Sequence, residues 1–81
     1  MIIQMFSVYD KKTQLFSQPF PSGNAESAIR AFQDAQSDGN TLLAKHPNDF
    51  ALYHVGSFDD SEGIFQQLNN AEQIFSTPPE A

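Results

Sequence analysis

The stretch from His46 to Phe65 constrains the fold of this chain more than any other segment. It begins with a His-Pro pair, runs through nine residues rich in aromatic side chains, and reaches an acidic turn that ends in Gly63. Proline interrupts regular structure, aromatic residues favour strands, and a glycine after a short polar turn is typical of a bulged hairpin. The segment therefore predicts a hairpin with strands at Phe50–Phe58 and Ile64–Leu68, followed by one helical turn or irregular chain over residues 69–75.

The N-terminal end predicts a second hairpin. Residues 2–9 are rich in β-branched and aromatic side chains with polar residues between them, and residues 14–20 read as a second strand after a polar break. Pro19 places the second strand at a sheet edge, because proline cannot donate to a ladder of hydrogen bonds. A two-residue loop at Lys11 and Lys12 would pair Tyr9 with Gln14 and Val8 with Leu15.

Between the hairpins lies a single strong helix pattern. Ser22 or Asn24 can cap its first turn, Glu26 suits its positive end, and Gly39 can adopt a left-handed conformation at its exit. Apolar residues recur there at steps of three and four, which makes one apolar stripe. That stripe consists of Ala25, Ala28, Ile29, Phe32 and Ala35.

These elements predict an α+β fold of order ββαββ. A four-stranded antiparallel sheet from two hairpins carries one amphipathic helix on one face, within a single domain over residues 1–75 and a flexible tail over residues 76–81. One helix can cover only one face of such a sheet. The expected covered face contains Ile2, Phe6, Val8 and Leu15, and the expected open face contains Met5, Ser7, Tyr9, Gln14, Phe16, Gln18 and Phe20.

Composition limits the classes of function. The chain has 81 residues, no cysteine, and a net charge of −6 from ten acidic and four basic residues. A domain this small buries a modest core, and without disulfides a homodimer is the common route to a larger one. Four basic residues neutralise few phosphates, so a basic DNA-condensing protein is excluded. No signal peptide or membrane-spanning run occurs, and we expect an intracellular protein that does not enter a membrane.

No catalytic, cofactor or metal site is predicted. The turn Asp59–Gly63 lacks the alternating ligands of a calcium loop, and its aspartates are better explained as acceptors for nearby amides. His46 and His54 are eight residues apart and match no zinc signature. We interpret His54 as a partly buried histidine on the same strand face as Phe50, Leu52 and Phe58. The chain is therefore not expected to be an enzyme.

The expected open face supplies the candidate site. Tyr9, Phe16 and Phe20 share it, with Lys11 and Lys12 at its rim. Aromatic rings at a surface bind protein partners, including a second copy of the chain, and they also stack on the bases of single-stranded DNA. The same rings can instead belong to the domain core. A further alternative is an acidic inhibitor of a host factor that mimics DNA, although the carboxylates here are scattered.

The chain also resembles a known viral family. Lys45-His46-Pro47-Asn48-Asp49-Phe50, followed by Leu52-Tyr53-His54-Val55-Gly56 and Phe58-Asp59-Asp60, is similar to the small nonstructural protein of gokushoviruses, which are single-stranded DNA bacteriophages of the microvirus family. The runs Phe6-Ser7-Val8-Tyr9-Asp10-Lys11-Lys12 and Ala28-Ile29-Arg30-Ala31-Phe32 share this resemblance, which covers about residues 5 to 65.

The resemblance implies a nonstructural role in the cytoplasm of an infected bacterium. Such proteins are taken to act in viral DNA replication, at the switch to single-strand synthesis, and some are described as DNA-binding. The expected partner is then a second copy, the viral replication initiator or single-stranded DNA. The resemblance supplies no catalytic residues.

Overall fold

A computed structural model describes residues 1–76, and for residues 67–69 it describes the backbone alone. The described chain forms five strands, two α-helices and one short 3-10 helix at Pro47–Asp49. The α+β class is confirmed. The elements in chain order are β1 (Ile2–Asp10), β2 (Leu15–Phe16), β3 (Phe20–Ser22), α1 (Ala25–Ser37), α2 (Leu42–Lys45), β4 (Phe50–Asp59) and β5 (Ile64–Ser76).

The five strands form one antiparallel sheet in the order β2-β1-β4-β5, and β3 also pairs with β1. Strands β2 and β3 therefore lie end to end along the same edge of β1. They correspond to the single second strand that the sequence predicted, interrupted at residues 17–19. The order ββαββ holds in outline, with the strands of the two hairpins meeting at the central pair of β1 and β4.

The predicted register of the first hairpin is wrong. Tyr9 pairs with Phe16 and Asp10 with Leu15, across a four-residue turn that ends at Gln14. Gln14 takes a φ of 60°, and the Asp10 carboxylate accepts a hydrogen bond from the amide of Lys12 at 2.9 Å. The two lysines lie in this larger turn instead of forming the whole loop. Because the register moves by two residues, Tyr9, Leu15 and Phe16 stay on their predicted faces.

Phe20 is a second correction, since it lies on the covered face. The interruption after Phe16 changes the pairing so that Phe6 pairs with Phe20, and the two ring centroids are 6.2 Å apart. Ser17 causes the interruption, because its hydroxyl accepts from the amide of Val8 at 3.0 Å and its amide donates to the Val8 carbonyl. The bulge reverses the alternation of side chains, so Phe20 packs against the core.

Helix α1 covers one face of the sheet. Its N-cap is Asn24, whose Oδ1 accepts from the amide of Ser27 at 2.8 Å, and Glu26 lies in the first turn as expected. Ala28 and Phe32 are buried and Ile29 packs against the core, as the predicted stripe requires, whereas Ala25 at its start is exposed. The buried core cluster contains Phe6, Ala28, Phe32, Phe50 and Leu52.

The exit of α1 differs from the prediction. Asp38 is the C-cap, and its amide donates to the carbonyl of Ala35 at 3.2 Å. The positive φ angles of the described glycines belong to Gly56 and Gly63, so Gly39 is not left-handed. The Thr41 hydroxyl also donates to the Ala35 carbonyl, at 2.7 Å. Polar side chains and backbone groups thus end the helix without a glycine cap.

Strand β4 contains a bulge at Val55. Met5 pairs with Gly56 and Phe6 with His54, so Val55 has no partner in β1. The extra residue exchanges the faces of the two halves of β4. His54 shares a face with Leu52 as predicted, but Phe58 lies on the opposite face, and that part of the prediction is wrong.

Strand β5 is longer than predicted. It runs from Ile64 to Ser76 and pairs with β4 at both ends, so residues 69–75 are strand instead of a helical turn. Phe75 contacts Phe32 with ring centroids 5.7 Å apart, which anchors the second half of β5 to the core. Apart from Ser76, which ends β5, the predicted tail lies outside the described residues.

The helix reaches only part of its face. Ile2 and Ile64 flank Asp59 in one cross-strand row on the covered side, yet both isoleucines are about half exposed. The sheet therefore extends beyond α1 at the end that carries the β4–β5 turn. None of the helices in residues 1–76 is long and apolar enough to cross a membrane.

Candidate binding face

The sheet face opposite α1 has no element packed over it among the described residues, and we call it the open face. Alternation along each strand, corrected for the shifts of register between neighbouring strands, decides which side chains it carries. They include Ile3, Met5, Ser7 and Tyr9 of β1, Phe16 of β2, Pro21 of β3, Ala51, Tyr53 and Phe58 of β4, and Phe65, Gln73 and Ser76 of β5.

Three rings of the open face form an aromatic trio, Tyr9, Phe16 and Tyr53. The ring centroids of Tyr9 and Phe16 are 4.7 Å apart, and Tyr53 meets them edge-on at 5.7 and 5.2 Å. These separations are those of favourable aromatic pairs. Phe16 is 47% exposed and both tyrosines are half-buried, so the trio is ordered by its own contacts while presenting ring surface to solvent.

Polar contacts hold the trio and its surroundings in place. The Tyr53 hydroxyl donates to Oε1 of Gln73 on the adjacent strand at 3.2 Å. Ser7, which is buried, donates from its hydroxyl to the carbonyl of Ser17 at 2.7 Å. Within the described residues no buried side-chain polar atom lacks a hydrogen-bond partner. The open face therefore presents apolar ring surface, and its few polar groups already have hydrogen-bond partners within the chain. Such a surface suits reversible contact with another surface.

A second aromatic group lies at the other end of the open face. Phe58 and Phe65, which we call the tip pair, are cross-strand partners with ring centroids 4.7 Å apart. Phe65 is 65% exposed. Ile3 pairs with Phe58 and continues the apolar surface toward β1. Burying one such side chain stabilises an interface by about 1.5–3 kcal/mol.

Within residues 1–76, the carboxylates lie away from the open face. The strand carboxylates Asp10, Asp59 and Glu72 lie in rows of the opposite face, and Glu72 approaches the His54 Nδ1 at 4.0 Å there. The other acidic residues of the described chain lie in α1 and its exit, in the 3-10 helix, and in the β4–β5 turn. In a chain of net charge −6, the part that the structure describes thus has one sheet face without charged strand side chains.

The predicted site residues divide between two places. Tyr9 and Phe16 come together in the trio, and Lys11 and Lys12 lie in the adjacent turn, exposed at the rim of the open face. Phe20 is not part of this face. Tyr53 was missed, although alternation along Phe50–Phe58 places it on the other face of the strand from Leu52. The sequence did not show that β4 pairs with β1, and this pairing is what brings Tyr53 next to Tyr9.

The groups considered for metal binding or catalysis make hydrogen bonds within the fold. The Asp59 carboxylate accepts from the amide of Ser61 at 2.9 Å, which confirms its predicted role in the turn. His54 is partly buried, with Nε2 hydrogen-bonded to Oε1 of Gln4 at 2.7 Å, also as predicted. Among residues 1–76 no three histidine, cysteine or acidic side chains are grouped as metal ligands.

Comparison with known proteins gives two matches. The family model described as Phage ORF5 protein matches residues 3–77. The curated protein named Protein ORF5, from Chlamydia phage 1, is 39% identical over 68 residues, which cover 79% of this chain and 71% of that protein. No solved structure matches the chain significantly.

The family match spans both hairpins and α1, and therefore every residue of the open face. Chlamydia phage 1 is a gokushovirus, which confirms the resemblance drawn from the His-Pro and Asp-Asp segments. The chain belongs to the Phage ORF5 protein family and is a small bacteriophage protein.

Proposed function

We propose that this protein is a non-catalytic binding protein that acts in the control of phage DNA replication by docking a protein partner on its open face. The observation that carries the proposal is the aromatic, carboxylate-free face in an otherwise acidic chain. The part in replication, and the action in the cytoplasm of the infected host, rest on the resemblance to gokushovirus nonstructural proteins.

The chemistry of the face favours a protein partner. Interfaces are enriched in aromatic residues and depleted of charge at their centres, and tyrosine is among the residues that contribute most to affinity. The trio supplies two tyrosines with exposed ring surface, held by contacts within the sheet. Such rings lose little conformational entropy on binding, because their positions are already fixed.

The charge distribution favours a protein over nucleic acid. Non-specific affinity for nucleic acid grows with the number of phosphates that basic groups neutralise, and among the described residues the open face has only Lys11 and Lys12, at one rim. The Asp10 carboxylate lies beside them, since it accepts from the amides of Lys12 and Thr13. An acidic DNA mimic has less support, because the carboxylates are dispersed over a helix, a turn and separate strand rows.

The test is a phage genome that encodes Phe16→Ala. Because Phe16 is the most exposed ring of the trio, its loss should weaken docking and change the ratio of single-stranded to duplex viral DNA in infected cells. The matched control is Leu15→Ala, which removes the neighbouring, 68% exposed side chain on the opposite face. Equal ratios for wild type and both variants, with equal protein levels, would refute docking by this face.

Single-stranded DNA is the second candidate, because Lys11 and Lys12 lie beside the trio. Base stacking contributes about 1–3 kcal/mol per base, so these rings could bind DNA weakly and with little salt dependence. Fluorescence anisotropy of a labelled oligonucleotide at low salt checks this. Micromolar binding that Tyr9→Ala and Tyr53→Ala both weaken would support DNA, whereas no change at high protein concentration would exclude it.

A further inference from the structure

We propose that the partner docked on the open face is a second copy of this chain, packed sheet to sheet about a two-fold axis. This inference rests on the proposed function in one respect, the assignment of a docking role to that face. It adds the identity of the occupant and the arrangement of the two copies.

The charges identify a second copy as a fitting occupant. Two chains together carry a net charge of −12, twice −6, so most mutual orientations bring carboxylates near carboxylates. The open face is the sheet surface from which Asp10, Asp59 and Glu72 point away. Contact through it keeps the charged helices on the two outer sides of the dimer. The pairing that this acidic chain tolerates best is therefore open face to open face.

The small core gives a second reason. The buried apolar residues of the described chain number six, and two of them are alanines. A domain of this size is close to the limit at which one core supports folding without disulfides or metal. Packing two open faces would bury the trio and the tip pair and join two chains of two layers each into a four-layer molecule. The added core would compensate for the missing second helix layer.

The dimensions of the face suit a homodimer. Four strands spaced by about 4.8 Å and nine residues rising by about 3.3 Å each give a face of about 19 Å by 30 Å. Stable interfaces bury about 800 Å² of accessible surface on each partner, which a ring-covered patch of this size approaches. Two sheets packed in this way lie about 10 Å apart, close enough for their rings to interdigitate.

The positions of the aromatic groups indicate the arrangement. The trio and the tip pair lie at opposite ends of the face, near Tyr53 and Phe58 of β4, which are about 16 Å apart along the strand. A two-fold axis that lies between the sheets and runs across the strands exchanges these ends. Each trio then contacts the tip pair of the other copy, so both aromatic groups are covered by one symmetric contact.

Sedimentation equilibrium of the whole chain tests the dimer. We expect wild type to be dimeric at micromolar concentration, and Phe16→Glu and Phe65→Glu each to weaken dimerisation at least about tenfold, because each buries a charge. Leu15→Glu, on the other face, should leave the dissociation constant unchanged. Circular dichroism verifies folding of each variant. The proposal would be overturned if wild type stays monomeric up to about 1 mM, because a Kd of that size corresponds to a binding free energy of only about 4 kcal/mol. It would also be overturned if wild type is a dimer that neither variant weakens.

Isotope-filtered NMR of a mixed labelled and unlabelled sample tests the arrangement. Contacts between the rings of Tyr53 and Phe65 should appear between copies, because the two residues lie at opposite ends of one face within a copy. A dimer with no such contact would refute the two-fold arrangement. If the wild-type protein is a monomer and the Phe16→Ala phage still has the replication defect, this inference is refuted and the proposed function stands. If the wild-type protein is a dimer and the Phe16→Ala phage replicates normally, the proposed function is refuted and this inference stands.

Discussion

At the scale of single residues, the covered face depends on a few side chains. Leu52 is fully buried between α1 and the sheet, in a cluster with Phe6 and Phe32. Because these residues belong to one closely packed cluster, small shifts of the neighbours do not fill a void left at any one of them. The open face has no buried cluster of this kind among the described residues, since its rings are half-exposed.

Leu52→Ala should therefore lower the free energy of unfolding by about 2–5 kcal/mol, from lost burial and the cavity left behind. Urea denaturation monitored by circular dichroism measures this. Leu42→Ala is the control, since Leu42 is 62% exposed in α2 and should change stability by less than about 0.5 kcal/mol. Equal effects of the two substitutions would contradict the assignment of the core.

At the scale of elements, the β4–β5 turn depends on one glycine. Gly63 has a φ of 72°, and its amide donates to the Asp59 carbonyl at 2.7 Å. A side chain at such a φ is strained even where space is available, and nothing lies within 4 Å of a Cβ at this position. The cost of a substitution there is conformational and not steric.

Gly63→Ala should reduce stability by about 1 kcal/mol because alanine resists this backbone conformation. Gly39→Ala provides the comparison: that position is equally open but has no positive φ, so the change should be neutral or slightly stabilising. Thermal unfolding followed by circular dichroism distinguishes them. A destabilisation by Gly39→Ala equal to that by Gly63→Ala would contradict the described turn.

Local patterns predicted the elements well where the signal was periodic. The stripe around Ala28 and Phe32 gave α1, and the β-branched and aromatic side chains of residues 2–9 gave β1, because each pattern is set by neighbours in sequence. The pairing of β1 with β4 joins segments about fifty residues apart, which no local pattern reports. The aromatic trio was therefore predicted only in part, with Tyr9 and Phe16 predicted and Tyr53 missed.

The errors arose where a single residue interrupts a strand. Ser17 turns the chain so that Phe20 faces the core, whereas Val55 moves Phe58 from the covered face to the open face. Pro19 lies in the first interruption and Gly56 follows Val55, but neither residue by itself gives the position of a bulge. The positions of the bulges follow from hydrogen bonds to neighbouring strands, as with the Ser17 hydroxyl and the Val8 amide, and these bonds exist only after the sheet has formed.

At the scale of the whole molecule, the sheet is covered on one side and over part of its length. Helix α1 packs over the half that contains Phe50 and Leu52, while Ile2 and Ile64 at the other end remain half exposed. A single chain is thus an incomplete two-layer structure. Its stability should depend on whatever covers the remaining surface.

The midpoint of thermal unfolding should accordingly rise with protein concentration, because binding of one folded copy to another stabilises both by mass action. Differential scanning calorimetry over a hundredfold range of concentration measures this rise. Phe65→Glu, which adds charge at the exposed tip pair, should remove the dependence while leaving the monomer folded. A midpoint that is independent of concentration in wild type would show that folding is complete in one chain.

The unpaired Val55 has a consequence for relatives of differing length. In a homologue that lacks one residue at this point, the side chains of β4 beyond the bulge would exchange faces. The aromatic residue equivalent to Phe58 would then lie on the helix side of the sheet. Two proteins with nearly the same sequence would then bind partners through opposite faces of the sheet. An insertion or deletion of one codon here would alter partner choice more than many exchanges of one amino acid for another.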